Sequence, residues 1–162
     1  AIGQDWHPED ATTERTLLAQ EVLFPFTDEQ RTRLVTEVIE LLGDYWRLVG
    51  SALPALGGRD VDRAELPLAV RYGETVWEGV LDRLYRVGGE WYLDDYKTDR
   101  RVAPERYYLQ LAHYARAAQR ALGVRPRSRL VYLRSGRVIE PAEDLLEEAF
   151  AGSPIADALR SA

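Results

Sequence analysis

The sequence has no cysteine, no methionine and one lysine, Lys97, set against twenty arginines in 162 residues. Each shortage excludes something. Without cysteine there is no disulfide framework and no Cys-ligated zinc or iron–sulfur site, and thiol usage says nothing about redox compartment. Without methionine the chain lacks an initiator, so it is expected to be a piece excised from a larger enzyme, or a processed form. No apolar run approaches the roughly 20 residues of a membrane span, and no signal-peptide pattern is present, so no membrane partner is expected. What is there is 46 % hydrophobic, enough for 1–162 to be read as one domain with a sizeable core.

The lone lysine stands in Asp95-Tyr96-Lys97-Thr98. A guanidinium stays charged and binds as a planar fork, whereas an ammonium is a compact point charge whose pKa moves on burial and which can orient a water. Beside a carboxylate, that makes Lys97 a candidate catalytic group. A bare D-x-K tripeptide also arises by chance, so its surroundings decide.

The stretches Thr75 to Val87 and Glu90 to Thr98 are both rich in β-branched, aromatic and aliphatic residues, and only Gly88-Gly89 separates them. That pattern predicts a hairpin with a two-residue turn. Val87 then faces Glu90, and counting back along both strands sets Asp82 opposite Asp95 and Val80 opposite Lys97. Alternation places Asp95 and Lys97 on one face with Leu93 and Trp91, and Asp82 there with Val80 and Leu84. Two carboxylates directly opposite, with Cβ atoms roughly 5 Å apart, repel each other. A divalent cation held by oxygen ligands is their natural partner. A solvated face is the simpler reading of the charges, but the flanking Val, Leu and Trp residues argue for a half-buried one.

Periodicity supplies the rest of the organisation. Helices are expected over 8–22, over 27–42 from a capping box at Thr27-Asp28-Glu29-Gln30, and over 44–53, before Gly57-Gly58 breaks the chain. Strands are expected at 64–73, 75–87, 90–98 and 127–134, with a short one to residue 140 after Ser135-Gly136. A helix over 104–122 opens on Pro104 and ends at Gly123, with Tyr107, Leu111, Tyr114, Ala118 and Leu122 as its apolar stripe. Gln110 and Tyr114, four apart, project from one side of it. The order is mixed α/β: a helical segment over 8–55, a core over 64–140 and a helical tail over 141–162.

Three groups of these residues resemble a known family. Gly79-Val80-Leu81-Asp82, Asp95-Tyr96-Lys97-Thr98 and Gln110-Leu111-x-x-Tyr114 are similar, in order and spacing, to the G-x-x-D, D-Y-K-T and Q-L-x-x-Y motifs of RecB-type nucleases in the PD-(D/E)XK superfamily. The likeness is nearest to the C-terminal nuclease domain of AddA- or RecB-like helicase-nucleases. It implies a restriction-endonuclease-like core, in which a central mixed sheet carries the site on an antiparallel hairpin and is flanked by helices. It implies hydrolysis of DNA phosphodiester bonds, single-stranded DNA being favoured, with Mg²⁺ or Mn²⁺ as cofactor. In that picture Asp82, Asp95 and the Tyr96 backbone carbonyl are metal ligands, Lys97 positions the attacking water, and Gln110 and Tyr114 steady Lys97, the metal or a substrate phosphate.

Gly3-x-x-x-His7 resembles the family's G-x-x-x-H, whose histidine is a metal ligand; here Pro8 follows at once and alters the helix start. A His7 ligand would tilt preference toward Mn²⁺. Glu65 matches an acidic position of the family, although it reads more simply as a strand-edge glutamate. The absent cysteines set the chain apart from branches that staple this fold with a four-cysteine cluster. The implied setting is DNA end processing and recombinational repair on the nucleoid of the bacterial cytoplasm, with a helicase domain in the same or a partner chain.

A net charge of −6 looks wrong for a DNA-binding protein. Its distribution answers the objection, because residues 95–140 hold 11 basic against 4 acidic side chains, +7, while 1–94 hold 9 against 18. Arg100, Arg101, Arg106, Arg116, Arg120, Arg125, Arg127 and Arg129 are available for phosphates, and Arg100, Arg101 and Arg106 lie nearest the motifs. Two other readings stand beside the resemblance. One is a nuclease-derived module that binds DNA or protein without cutting, against which the chain keeps its D-x-K residues; the other is a stand-alone nuclease acting on RNA or branched DNA.

Overall fold

Gly88 and Gly89 adopt φ of 57° and 86°, the left-handed pair that a tight hairpin turn demands and that side chains resist. They join β2 (Thr75–Val87) to β3 (Glu90–Lys97), with Val87 opposite Glu90 and Arg83 opposite Asp94. The computed structural model describes residues 7–20, 23 and 25–160. Strand β1 (Val61–Tyr72) pairs antiparallel with β2; β4 (Arg127–Tyr132) pairs parallel with β3, and β5 (Arg137–Ile139) antiparallel with β4. The sheet order is β1-β2-β3-β4-β5. The parallel step between β3 and β4 requires a crossover, which α3 (Tyr108–Leu122) supplies after a 3-10 turn at Pro104–Tyr107 and before its cap at Gly123, φ 76°.

Helices cover both faces. Leu93, Leu130 and Tyr132 pack with Leu111, Ala112, Ala118 and Phe150 in the core under α3 and α4 (Glu143–Ala151), with α5 (Pro154–Arg160) against α4. The other face meets α2 (Asp28–Leu48) through Tyr45, Leu48, Leu53, Val131 and Leu133, and α1 (Ala11–Leu18) packs on α2. This is the expected mixed α/β architecture, a mixed sheet between helices with an antiparallel hairpin at its centre.

Two expectations need correction. The helices expected over 27–42 and 44–53 are one, α2, running 21 residues through Gly43 from the Thr27 capping box and ending at Leu48, short of the expected residue 53. Its buried positions Val35, Leu42, Tyr45 and Leu48 keep one stripe across the glycine, and burying them outweighs the ~1 kcal/mol that a mid-helix glycine costs. The first helix is shorter than expected, Ala11–Leu18 with Asp10 as its N-cap; Val22, its expected end, lies outside the described residues.

The third surprise matters for the site. Along β1, Asp62 reaches Arg83 and Tyr45's side of the sheet, whereas Leu66, Leu68 and Val70 join the α3-side core. Residues of even number therefore change faces within one strand. The switch falls at Glu65, whose φ is 50° and which drops out of the β1–β2 register between Ala64↔Arg83 and Leu66↔Leu81. Its missing partner is Asp82.

Candidate active site

The β2–β3 ladder stops at Arg83↔Asp94, one residue short of the two aspartates. Asp82 still faces β3, but its Oδ2 accepts the Tyr96 backbone N–H at 2.7 Å, so a side chain stands where a strand carbonyl would. Further on, the Val80 carbonyl accepts the Tyr114 hydroxyl at 2.6 Å instead of pairing with β3. The strands thus part where Asp82, Asp95 and Lys97 sit, and side chains satisfy the backbone groups released. Because the strand changes face here, Val80 does not share the site's face as alternation predicts; its side chain is 53 % exposed.

A chain of contacts runs across the opening. Lys97 Nζ lies 2.7 Å from Asp95 Oδ2 and donates to Gln110 Oε1 at 3.1 Å. Gln110 Nε2 in turn donates to the Tyr114 hydroxyl at 3.1 Å. The Tyr107 ring covers the same ammonium, 4.0 Å from its centroid, and its hydroxyl donates to Asp99 at 2.8 Å. Lys97 is therefore held by an anion, an amide oxygen and a ring face. Sequence reasoning brought Asp82, Asp95, Lys97, Gln110 and Tyr114 together and missed Tyr107, whose position three residues before Gln110 on the same helical side was the available signal.

Gly79 has a steric reason to be glycine. A Cβ there would stand 2.7 Å from Trp77 Cη2 and 3.0 Å from Tyr114 Cε1, so the tyrosine reaches Val80 only over a bare backbone. Asp95 is almost fully buried, and that desolvation pushes its pKa up to about 6, with Lys97 holding it down and Asp82 adding to the rise. Burial likewise raises Tyr114, which keeps its hydroxyl a donor.

Two carboxylates and a backbone carbonyl are hard oxygen donors, the set that Mg²⁺ uses when water and substrate phosphates complete its shell. Asp95 Oδ2 is buried and, apart from its ion pair with Lys97, lacks a hydrogen-bond partner. The residues present fit such an ion. His7 is not gathered with them: its ring packs on Trp46 at 4.9 Å and its Nδ1 accepts from Glu9 N–H at 3.3 Å. Among the described residues no three His, Cys, Asp or Glu side chains come together at metal-binding spacing. Gly3, the other half of that motif, lies outside the described residues.

Beneath the hairpin lies a polar layer that the sequence did not announce. Asp94 is fully buried and takes a fork from Arg129 at 2.7 and 2.9 Å and the Tyr85 hydroxyl at 3.0 Å. Arg83 grips Asp62 at 2.7 and 2.9 Å and donates to the Tyr45 hydroxyl of α2 at 3.1 Å. These pairs fix the strand whose opposite side carries Asp95 and Lys97.

Several arginines expected to be available for phosphate are engaged internally: Arg116 with Glu147, Arg125 with Glu143 and Glu147, Arg127 with Glu140, Arg129 with Asp94, and Arg120 on the Arg71 carbonyl. Arg100, Arg101 and Arg106 are exposed and form no ion pair with a described residue. Arg100 shares a surface cleft with Arg33, Arg134, Glu37 and Glu40, in which Arg134 is paired with Glu37.

Comparison with known proteins agrees with this architecture. A family model described as "PD-(D/E)XK nuclease superfamily" matches residues 5–160. Among solved structures, one described as "Putative exonuclease" from Eubacterium rectale aligns with TM-score 0.50 and 15 % identity, over 84 % of this chain and 58 % of its own. Protein VC1899 from Vibrio cholerae aligns with TM-score 0.39 and 17 % identity, over 84 % of this chain and 36 % of its own. The chain thus spans little more than half the length of the first and about a third of the second. No curated protein sequence matches it.

Proposed function

The chain belongs to the PD-(D/E)XK nuclease superfamily, whose members are generally metal-dependent phosphodiester hydrolases, and on that premise we propose that it cuts DNA, preferentially single-stranded DNA, with Mg²⁺ or Mn²⁺. The observation that carries the reading is the opened hairpin, where Asp82 and Asp95 face a lysine fixed by Gln110, Tyr107 and the Tyr114 relay.

Asp82 and Asp95, with the Tyr96 carbonyl beside them, would hold a divalent metal ion, which when bound would supply Lewis-acid polarisation of the phosphate and a more acidic water. The Tyr96 N–H fixes one oxygen of the Asp82 carboxylate and leaves the other available to a ligand. Lys97 places the attacking water and offsets the charge that grows on the phosphate. Gln110 and Tyr114 act through Lys97: the amide fixes the ammonium, and Tyr114 ties that amide to the β2 backbone. Arg100, Arg101 and Arg106 meet the flanking phosphates.

The RecB- or AddA-like motifs favour a place as the nuclease domain of a helicase-nuclease that processes DNA ends for recombinational repair, in the bacterial cytoplasm, with the helicase in the same or a partner chain. The test is cleavage of end-labelled single-stranded DNA with Mg²⁺, Mn²⁺ or EDTA. Cutting is expected with either metal, none in EDTA, and a loss of 10²-fold or more in Asp82→Ala and Lys97→Ala. Undiminished cutting by both variants would remove the site; binding without cutting by the wild type would point to a module that only holds DNA.

A further inference from the structure

Beside the proposed catalytic lysine, on the far side of Gln110 and Tyr114, a cleft of about 610 Å³ opens between α3, the first half of β2 and the turn from α4 to α5. We propose that it is a stacking pocket for one unpaired nucleobase of the strand being cut, next to the scissile phosphate. The proposal rests on the nuclease reading above and specifies where its substrate's base goes.

Four observations point to a base. The first is continuity: Gln110 and Tyr114 line the cleft, and Gln110 is 3.1 Å from Lys97 Nζ, so the cleft adjoins the place where a phosphate beside Lys97 would lie. The second is a fixed ring. Trp77 is half-buried, gives one face to His113 at 4.7 Å and 13°, and stands edge-on to Tyr114 at 5.3 Å. His113 is itself pinned by the Tyr72 hydroxyl at 3.2 Å, and burial lowers its pKa. The indole plane is thus set before any ligand arrives, and an aromatic platform of this kind accepts any base through its π-face.

The third observation is charge. Arg106, exposed and without an ion pair among the described residues, borders the cleft. An arginine at the rim of a cleft otherwise lined largely by uncharged side chains leaves the backbone phosphate to Arg106 and the base to the cleft. The fourth is Gly79, on the shared wall, where any Cβ would meet Trp77 and Tyr114. The platform and the relay touch there without an intervening side chain. A base stacked inside a duplex offers no free face, so the pocket supplies a physical ground for preferring single strands.

The experiment uses single-stranded oligonucleotides in which one abasic residue is stepped along the strand. Cleavage in Mg²⁺ and binding by fluorescence anisotropy in EDTA are measured for the wild type, Trp77→Ala and Leu109→Asp. Leu109, 36 % exposed at the rim, tolerates the charge without loss of the fold, which circular dichroism checks. We expect the wild type to lose on the order of tenfold to a hundredfold at one abasic position flanking the scissile bond. Both variants should lose a similar factor on intact DNA and be indifferent to that abasic residue.

Wild-type cleavage that ignores every abasic position would overturn the pocket and leave the nuclease reading intact. So would an abasic penalty that persists undiminished in both variants. A wild type that neither cuts nor binds any strand would overturn the nuclease reading and the pocket with it.

Discussion

At the scale of single residues the site depends on space and on one costly charge. Gly79 leaves room for Trp77 and Tyr114, and overpacking a filled site typically costs ~1–3 kcal/mol. Gly79→Ala should therefore lower the urea midpoint and displace Tyr114 from Val80, whereas Gly57→Ala, with nothing within 4 Å of its Cβ, should be near neutral. Equal midpoints for the two variants would refute the steric account. Asp95 supplies the charge. Its carboxyl titrates at about 6 when folded and at ~3.9 when unfolded, so between those values the folded state keeps a proton the unfolded state has released. The stabilisation is complete below ~pH 4 and is lost as pH rises through 6, by on the order of 1–3 kcal/mol. A metal requires the deprotonated form and reverses the trend. Saturating Mg²⁺ should raise the melting temperature at pH 7.5 and barely change it at pH 5, and Asp95→Asn should abolish the difference. A Mg²⁺ shift of equal size at both pH values would count against Asp95 as a ligand.

At the scale of the element, β3 separates chemistry from support by alternation. Asp95 faces α3 and the opened ladder, while Asp94 faces the other way and is held by Arg129 and Tyr85. Removing one partner of a buried ion pair leaves the other uncompensated, at a cost of about 3–5 kcal/mol. Asp94→Ala should thus lower thermal stability severely, and Asp95→Asn should abolish cleavage while the protein still melts cooperatively. Unfolding curves set beside cleavage rates separate the two, and a stable Asp94→Ala protein would contradict the assigned support role. The hairpin and its register were legible because two adjacent glycines announce a turn and the turn fixes every cross-strand pair. The opening of the ladder was not. Alternation assumes an unbroken strand, and nothing in the letter Glu65 marks its positive φ or the face change it imposes opposite Asp82. The fused α2 escaped for a related reason: a glycine reads as a break unless the buried stripe on both sides of it is known to meet one surface.

At the scale of the whole molecule, a net charge of −6 has to coexist with the polyanionic substrate proposed for it. Sequence alone located the basic half but did not distinguish a phosphate contact from a structural ion pair, because that difference lies in tertiary partners. Arg116, Arg125, Arg127 and Arg129 are matched to carboxylates. This leaves Arg100, Arg101 and Arg106, exposed and, like Arg137, without an ion pair among the described residues, as the proposed surface for the strand, because they lie closest in sequence to the site. Counterion release converts that distinction into a measurable slope: each phosphate neutralised on a single strand contributes ~0.7 to the fall of log K with log salt. Replacing Arg100, Arg101 and Arg106 with alanine should weaken binding in EDTA and reduce the slope between ~50 and ~200 mM salt by about 2. Arg127→Ala, which frees Glu140 rather than a phosphate site, should leave the slope where it was. If the triple variant kept the wild-type slope, the strand would have to cross another face, and Arg33, exposed in the cleft that Arg100 borders and without an ion pair among the described residues, would be the next charge to neutralise.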